Sequence, residues 1–307
     1  MRQAVVFLAR GIGCGLSASR AFFESYRAYA AGRDHDLIVL LKGWEGVSGQ
    51  DEVREMARNA AASVIELPDD GYDWGAYMRA AEMLPHEWVC FLNTYSRILA
   101  PGWLAKLSRA AAAPGVAAAG ASGSFGTALP NLGLLPARFQ DVRQRRGVAL
   151  AAAAALQCVA GYPNGMAQLR PHFSEMPNPH LRSNAFLLRR EDFLAFVAVT
   201  RIPATKTEAL MLENGRDSLT GFLRKNGRET VVAGADGKFY RPEAWPQSGT
   251  FWVPGQPNLL IADNQTQAYA DAAAYRRRFL EQAAWGRAVT PAAVKRLTVP
   301  VDHKQGC

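Results

Sequence analysis

The chain has 307 residues, of which 49% are hydrophobic and 20% charged, a globular balance that excludes wholesale disorder and leaves room for one large α/β domain or two smaller ones. Its net charge of +8 favours an anionic partner, whether nucleotide, nucleic acid or membrane surface, without choosing among them.

In chain order, VVFLA near the N-terminus reads as a first strand, and Ser17 as the cap of a helix through Tyr29. Leu37 to Lys42 is a second strand, Gln50 to Ala62 a helix, Ser63 to Leu67 a third strand, Trp74 to Leu84 a helix, and Trp88 to Asn93 a fourth strand. Pro101 suits a first helical turn, with the helix running to Ala113 and a fifth strand over Val116 to Gly123. Continuous apolar strands alternating with helices predict a parallel sheet covered on both faces. Beyond Thr127 come an alanine-rich helix over Phe139 to Leu156, a strand over Ser183 to Arg190, and a helix from Glu191 and Asp192. Thr207 to Lys225 reads as one helix despite Gly215, TVVAGADGKFY as a strand ending in a turn, and the stretch from Asp263 to Gly286 as a terminal helix.

Cys14, Cys90, Cys158 and Cys307 are scattered, with no CxxC pair. They predict neither a zinc site nor a disulfide framework; Cys90 reads as a core thiol and the compartment as reducing. Ala4 to Ala9 is too short an apolar run for a signal peptide, and Val148 to Tyr162 falls short of the roughly 20 apolar residues of a membrane helix. The expectation is a cytoplasmic protein, with the inner face of the membrane as the place for any peripheral contact. The basic stretch Tyr275 to Arg278 reads as a solvated face. No recognition motif accompanies the positive charge, so nucleic acid is not an expected partner.

In a parallel sheet, ligands bind beyond the carboxyl ends of the strands. Arg10-Gly11-Ile12-Gly13-Cys14-Gly15 follows the first strand, but its glycine spacing fits neither a dinucleotide fingerprint nor a P-loop. Arg10 remains a candidate phosphate contact. After the third strand, Asp69 to Tyr77 crowds carboxylates, glycines and aromatics together, a mixture suited to hydroxyl groups, sugars or bases. The five histidines show no ligand spacing, and His180 reads as a surface residue.

Trp88 to Leu104, ending in Pro101-Gly102-Trp103-Leu104, resembles the central motif of the GT-A glycosyltransferases, above all the large family 2, in which a strand ends in FLDxD and PGWL opens a helix. Gly71 to Ala81 is similar to that family's preceding segment, and the resemblance covers about residues 3 to 125. It implies an α/β, GT-A-like, mostly parallel sheet. Residues 1–125 would form the nucleotide-sugar half and 126–307 the acceptor side, together one compact domain. It implies a nucleotide-diphosphate sugar as donor and a glycan or glycolipid acceptor. In the family the two aspartates of DxD bind a divalent metal; here Asn93 and Tyr95 stand at those positions. Hard cations prefer carboxylates, so a metal requirement is in doubt. Arg10, Lys42 or Arg97 would then offset phosphate charge.

On this reading Arg10, Asp69, Asp73, Tyr77, Asn93, Tyr95 and Ser96 are the donor-side candidates. The C-terminal half resembles, less specifically, glycosyltransferases of bacterial polysaccharide loci, and Asn184 and Asp263 are its acceptor-side candidates. Asn184 is equally a strand-start turn, and Asp263 equally a helix cap. Inverting transfer needs a carboxylate base, which GT-A enzymes supply from a helix start well after DxD. Glu213 and Asp217 are the catalytic candidates, Glu213 as base and Asp217 as helix cap. The competing reading is a non-catalytic sugar- or nucleotide-binding protein on the same fold.

Overall fold

The computed structural model describes residues 3–286; His303 and Cys307 lie outside the described residues. The chain begins β1 (Gln3–Arg10), α1 (Gly15–Ala28), β2 (Asp36–Lys42), α2 (Gln50–Asn59), β3 (Ser63–Leu67), α3 (Tyr72–Met83) and β4 (Trp88–Leu92). It continues with β5 (Arg97–Ile98), α4 (Trp103–Ala111), β6 (Val116–Gly120) and β7 (Gly123–Ser124). A helical hairpin follows, α5 (Leu135–Arg146) and α6 (Val148–Leu169), then β8 (His180–Leu181), β9 (Ala185–Arg189), α7 (Arg190–Val197), α8 (Lys206–Asn214) and α9 (Leu219–Lys225). The last elements are β10 (Glu229–Ala233), β11 (Phe239–Tyr240), β12 (Ile261–Ala262), α10 (Asn264–Ala270) and α11 (Ala274–Trp285).

Eight strands form one sheet in the order β11-β10-β6-β9-β4-β1-β2-β3. β3, β2, β1 and β4 are parallel neighbours, and so are β6 and β10. β9 runs antiparallel between β4 and β6, and β11 antiparallel at the edge. The expected α/β architecture, a mostly parallel sheet flanked by helices, is therefore present. β1 shows why its sequence is continuously apolar. Ala4, Val6 and Leu8 enter one core while Val5, Phe7 and Ala9 enter the other, so neither face is left for polar residues. One core is filled by Trp74 and Tyr77 of α3, Phe186 of β9 and Phe193 of α7. The other takes Phe22 of α1, Val53 of α2 and Trp103 of α4, with Phe22 stacked on Phe7 at 3.7 Å between ring centroids.

Three expected helices are each broken in two. The alanine-rich helix is α5 and α6, parted at Gly147, whose φ of +88° leaves helical space. The helix over 207–225 is α8 and α9, parted at 215–218. Thr205 and Glu208 form a capping box before α8, and Ser218 caps α9 by accepting the N–H of Gly221. Asp217 is thus not the cap. The terminal helix is α10 and α11, parted at 271–273. Ser17 lies inside α1, where its hydroxyl donates to the Cys14 carbonyl at 2.9 Å. Pro101 precedes α4, whose N-cap is Gly102.

Candidate active site

From β1 the chain moves outward to β2 and β3, then returns to place β4 on the other side of β1. Such a reversal opens a crevice beyond the carboxyl ends of the strands. The parallel register aligns Arg10 with Lys42 and Lys42 with Leu67, so the last residues of β1, β2 and β3 share one edge. A cleft of about 550 Å³ lies there, bounded by Arg10, Asp69, Gly71 and Tyr72 and, from the C-terminal half, by residues Ile202 to Ala204.

At the cleft, Arg10 donates to both carboxylate oxygens of Asp69, at 3.1 and 3.3 Å. Gly43, at φ +66°, leaves room for that carboxylate, since a Cβ there would meet it at 3.0 Å. Asp70 accepts two bonds from Arg79 at 2.7 and 2.8 Å, and these hold its carboxyl below the usual range. Lys42 is 1% exposed, and its ammonium donates to the carbonyls of Asp70 and Tyr72. Gly71 and Tyr72 are both left-handed, at φ 67° and 54°, and they fold the chain around that ammonium. For tyrosine this backbone is costly, and the bond from Lys42 offsets it. Desolvation lowers the Lys42 pKa, Arg10 adds to the fall, and Asp69, Asp73 and Asp70 oppose it. Lys42 is therefore a strut beneath the cleft rather than a free phosphate contact.

Asp73 lies half-buried in the first turn of α3. Burial pushes its carboxyl upward; Lys42 pulls it down, Glu213 raises it further, and Arg10 and Lys206 oppose. No hydrogen bond from the described residues satisfies it. Glu213, at the end of α8, accepts the Ser183 N–H through Oε1 at 3.1 Å. Its charge reaches Asp73, Tyr77 and His180. Arg10 and Asp69 thus line the cleft, and Asp73 lies near enough to feel the charges of both Arg10 and Glu213.

A second polar group lies beyond β4. Asn93 Oδ1 accepts the Tyr95 N–H at 3.2 Å and the Ser96 hydroxyl at 3.1 Å, and that hydroxyl also lies 3.0 Å from the Asn184 carbonyl. Ser122 donates to Asn184 Oδ1 at 3.0 Å, while Arg182 donates to Ser122 at 3.2 Å and to Asp263 at 2.5 Å. Asp263 also caps α10 through the Thr266 N–H at 2.9 Å. Asp263 has no exposed surface and so presents nothing to an acceptor. Asn184 is buried with its amide nitrogen unpartnered. Tyr95 is half-exposed at the turn, and Arg97 is exposed on β5.

Other candidates are placed apart from the cleft. Tyr77 is fully buried against Phe91 and Phe186, and its hydroxyl donates to the Ser183 carbonyl at 3.3 Å. It is a core residue rather than a donor contact. Asp217 is exposed and paired with Lys225. His180, expected at the surface, is 5% exposed, with Nδ1 2.8 Å from the Asn178 carbonyl. Burial lowers its pKa and Glu213 opposes that.

The β4 turn does not fit a divalent metal. Asn93 spends its amide oxygen inside the turn, and no carboxylate stands at either DxD position. Among the described residues no three His, Cys, Asp or Glu side chains gather into a metal-binding group. Cys14, Cys90 and Cys158 are free thiols, Cys90 being buried.

Sequence reasoning missed Arg79, Lys206 and Arg182. Lys206 lies 5.7 Å from the Tyr72 ring centroid and acts on Asp73. The Thr205–Glu208 capping box marks where its helix begins and was a readable signal.

The chain matches no family model and no curated protein. Its structure is similar to the mannosyltransferase PcManGT from Pyrobaculum calidifontis, solved with GDP-Man and Mn2+, at 12% identity and a TM-score of 0.44, covering 92% of this chain and 68% of that one. It is also similar to glucosyl-3-phosphoglycerate synthase from Mycobacterium tuberculosis, solved with Mn2+, UDP and phosphoglyceric acid, at 14% identity and a TM-score of 0.34, over 62% of this chain and 56% of that one. For S. aureus TarS 1–349 the values are 14% and 0.29, over 39% of this chain and 34% of that one.

Proposed function

We propose that this protein is a glycosyltransferase. It would move a hexose-like sugar from a nucleotide-diphosphate donor to a hydroxyl acceptor, in cytoplasmic assembly of cell-surface polysaccharide or glycolipid. The observation that carries this reading is the cleft at the carboxyl edge of β1 to β3, lined by Arg10 and Asp69, with Asp73 near enough to feel the charges of Arg10 and Glu213. It occurs beside a segment, Gly71 to Leu104, whose sequence order resembles a nucleotide-sugar site. Arg10 and Asp69 on the cleft wall, with Asp73, Glu213 and Lys206 close by, would supply groups able to accept a proton and offset phosphate charge.

In the proposed step, the free Oε2 of Glu213 accepts the proton of the acceptor hydroxyl. The hydroxyl oxygen forms a bond to the anomeric carbon as the bond from that carbon to the donor phosphate oxygen breaks. The nucleoside diphosphate leaves with the bonding electron pair, and Arg10 exchanges its Asp69 partner for the developing phosphate charge. The Ser183 N–H fixes the other Glu213 oxygen. No step is assigned to a metal.

Glu213→Gln keeps shape and hydrogen bonding but removes basicity. kcat should fall about 10²-fold with donor binding retained. Unchanged turnover removes Glu213 from the mechanism, and a retained anomeric configuration in the product removes the need for such a base. The engagement of the Asn93 amide oxygen within its own turn favours one second reading, a sugar- or nucleotide-binding protein without turnover. Thermal stabilisation by UDP-, GDP-, CMP- or dTDP-linked sugars without hydrolysis or transfer would support it.

A further inference from the structure

The helix α6 does not behave like the rest of the molecule. Its 22 residues carry no charged side chain, and Ala151 is its sole buried residue. Val148, Leu150, Leu156 and Val159 are 65%, 54%, 70% and 49% exposed. Water contact with so much apolar surface on one element is unfavourable, and contiguous exposed apolar patches mark interaction sites. The polar exception on that stretch is Gln157, which is also exposed. No helix among the described residues is long and apolar enough to cross a membrane.

The neighbouring helix has the complementary chemistry. The last turn of α5 carries Arg143, Arg145 and Arg146, all exposed and joined to Val148 through the single residue Gly147. The one acidic residue of the hairpin, Asp141, is buried and neutralised by Arg145 at 2.7 Å and by Arg276 at 3.0 Å. Arg143 and Arg146 have no carboxylate partner among the described residues. One end of the hairpin therefore exposes uncompensated positive charge and aliphatic side chains together. Anionic bilayers offer matching chemistry, phosphate charge at the headgroups and hydrocarbon just beneath. A second copy of the chain offers a poorer match, since pairing two such ends would bring like charges together.

We propose that the α5–α6 hairpin docks this protein on an anionic lipid bilayer. The apolar face of α6 around residues 148–159 lies at the headgroup boundary, and Arg143 and Arg146 meet lipid phosphates. The docking surface is separate from the cleft at β1 to β3 and does not depend on the proposed transfer chemistry.

The test is co-sedimentation of the full chain with vesicles of phosphatidylcholine alone or with 30–40% phosphatidylglycerol (roughly −30 to −50 mV of surface potential is the relevant regime). Binding is expected on the anionic vesicles, falling with added salt. Arg143→Glu/Arg146→Glu should lower it about tenfold or more, and so should Leu150→Glu/Leu156→Glu, which tests the apolar half. Both pairs lie on the surface, and circular dichroism with thermal melting confirms that each variant is folded. Equal binding to neutral and anionic vesicles, or binding unmoved by either folded variant, overturns the proposal. So does a wild-type dimer in sedimentation equilibrium that Leu150→Glu/Leu156→Glu dissociates, with no vesicle binding; the face would then belong to a second copy.

Discussion

Two arginine–aspartate pairs, Arg10–Asp69 and Arg182–Asp263, share the same chemistry and play different parts. Arg182 and Asp263 are 6% and 1% exposed in their side chains. Every charge there has further partners: Arg182 reaches Ser122 and lies over the Phe251 ring at 4.2 Å, and Asp263 caps α10. Arg10 and Asp69 are 32% and 27% exposed, and among the described residues each makes side-chain hydrogen bonds to the other alone. A buried pair whose members are fully engaged cannot be exchanged without unfolding its surroundings. An exposed pair sits in water, where its attraction is weak and a ligand can replace one member. The Arg182–Asp263 pair serves the scaffold, and on the proposed function the Arg10–Asp69 pair is the one a ligand would open.

Breaking the scaffold pair should have the largest effect. Arg182→Ala leaves Asp263 buried without its counter-charge, and urea unfolding should show a loss of about 3–5 kcal/mol. A loss below about 1 kcal/mol would mean that water reaches the pair and that the contrast is false. Next comes Arg10→Ala, which should leave folding intact. Calorimetric titration with a nucleoside diphosphate should show affinity reduced about tenfold at low salt, with the gap closing as salt rises. Equal affinity at all salt concentrations would move the phosphate elsewhere.

A smaller and pH-dependent effect belongs to Asp73. Its native carboxyl holds the proton more tightly than the unfolded chain does, because burial disfavours the charge. The stability tied to that proton is present below the unfolded value, near pH 4, and is lost as pH rises through the raised native value. Asp73→Asn should therefore match wild type in acid and exceed it at neutral pH; a flat difference across pH would show Asp73 to be solvated. The smallest effect is expected at Asp217→Asn. Its exposed ion pair with Lys225 should contribute less than about 0.5 kcal/mol, and initial rates should not change. A kinetic defect there would return Asp217 to the catalytic candidates.

The strands were the readable part. Ser63 to Leu67 has the expected bounds, and β1, β2 and β4 differ at their ends only, because a strand buried on both faces writes a continuous apolar run. A single reversed strand leaves no such mark, and nothing in SNAFLLRR says that β9 runs antiparallel between β4 and β6. Helix breaks were hidden where composition continues across them, as in the alanines beyond Gly147. Tyr77 was misread although its signal was present. Trp74, Tyr77, Met78 and Ala81 fall at i, i+3, i+4 and i+7, all buried, which is the pattern of a helix face turned to a sheet. The proximity of Glu213 to Asp73 was beyond reach, since sequence spacing does not encode which loops meet across a sheet.

The position of β9 has a consequence for how the chain is made. β4 and β6 emerge from the ribosome with nothing between them, and their shared neighbour follows only at residues 185–189. Until then two apolar strands have unpaired edges, and unpaired edges recruit other chains. Synthesis at about 5–20 residues per second keeps that gap open for several seconds, and a fragment ending at residue 125 would carry the same two unpaired edges. The molecule closes its sheet late, from the middle outward, and holds the nascent N-terminal half in need of protection until it does.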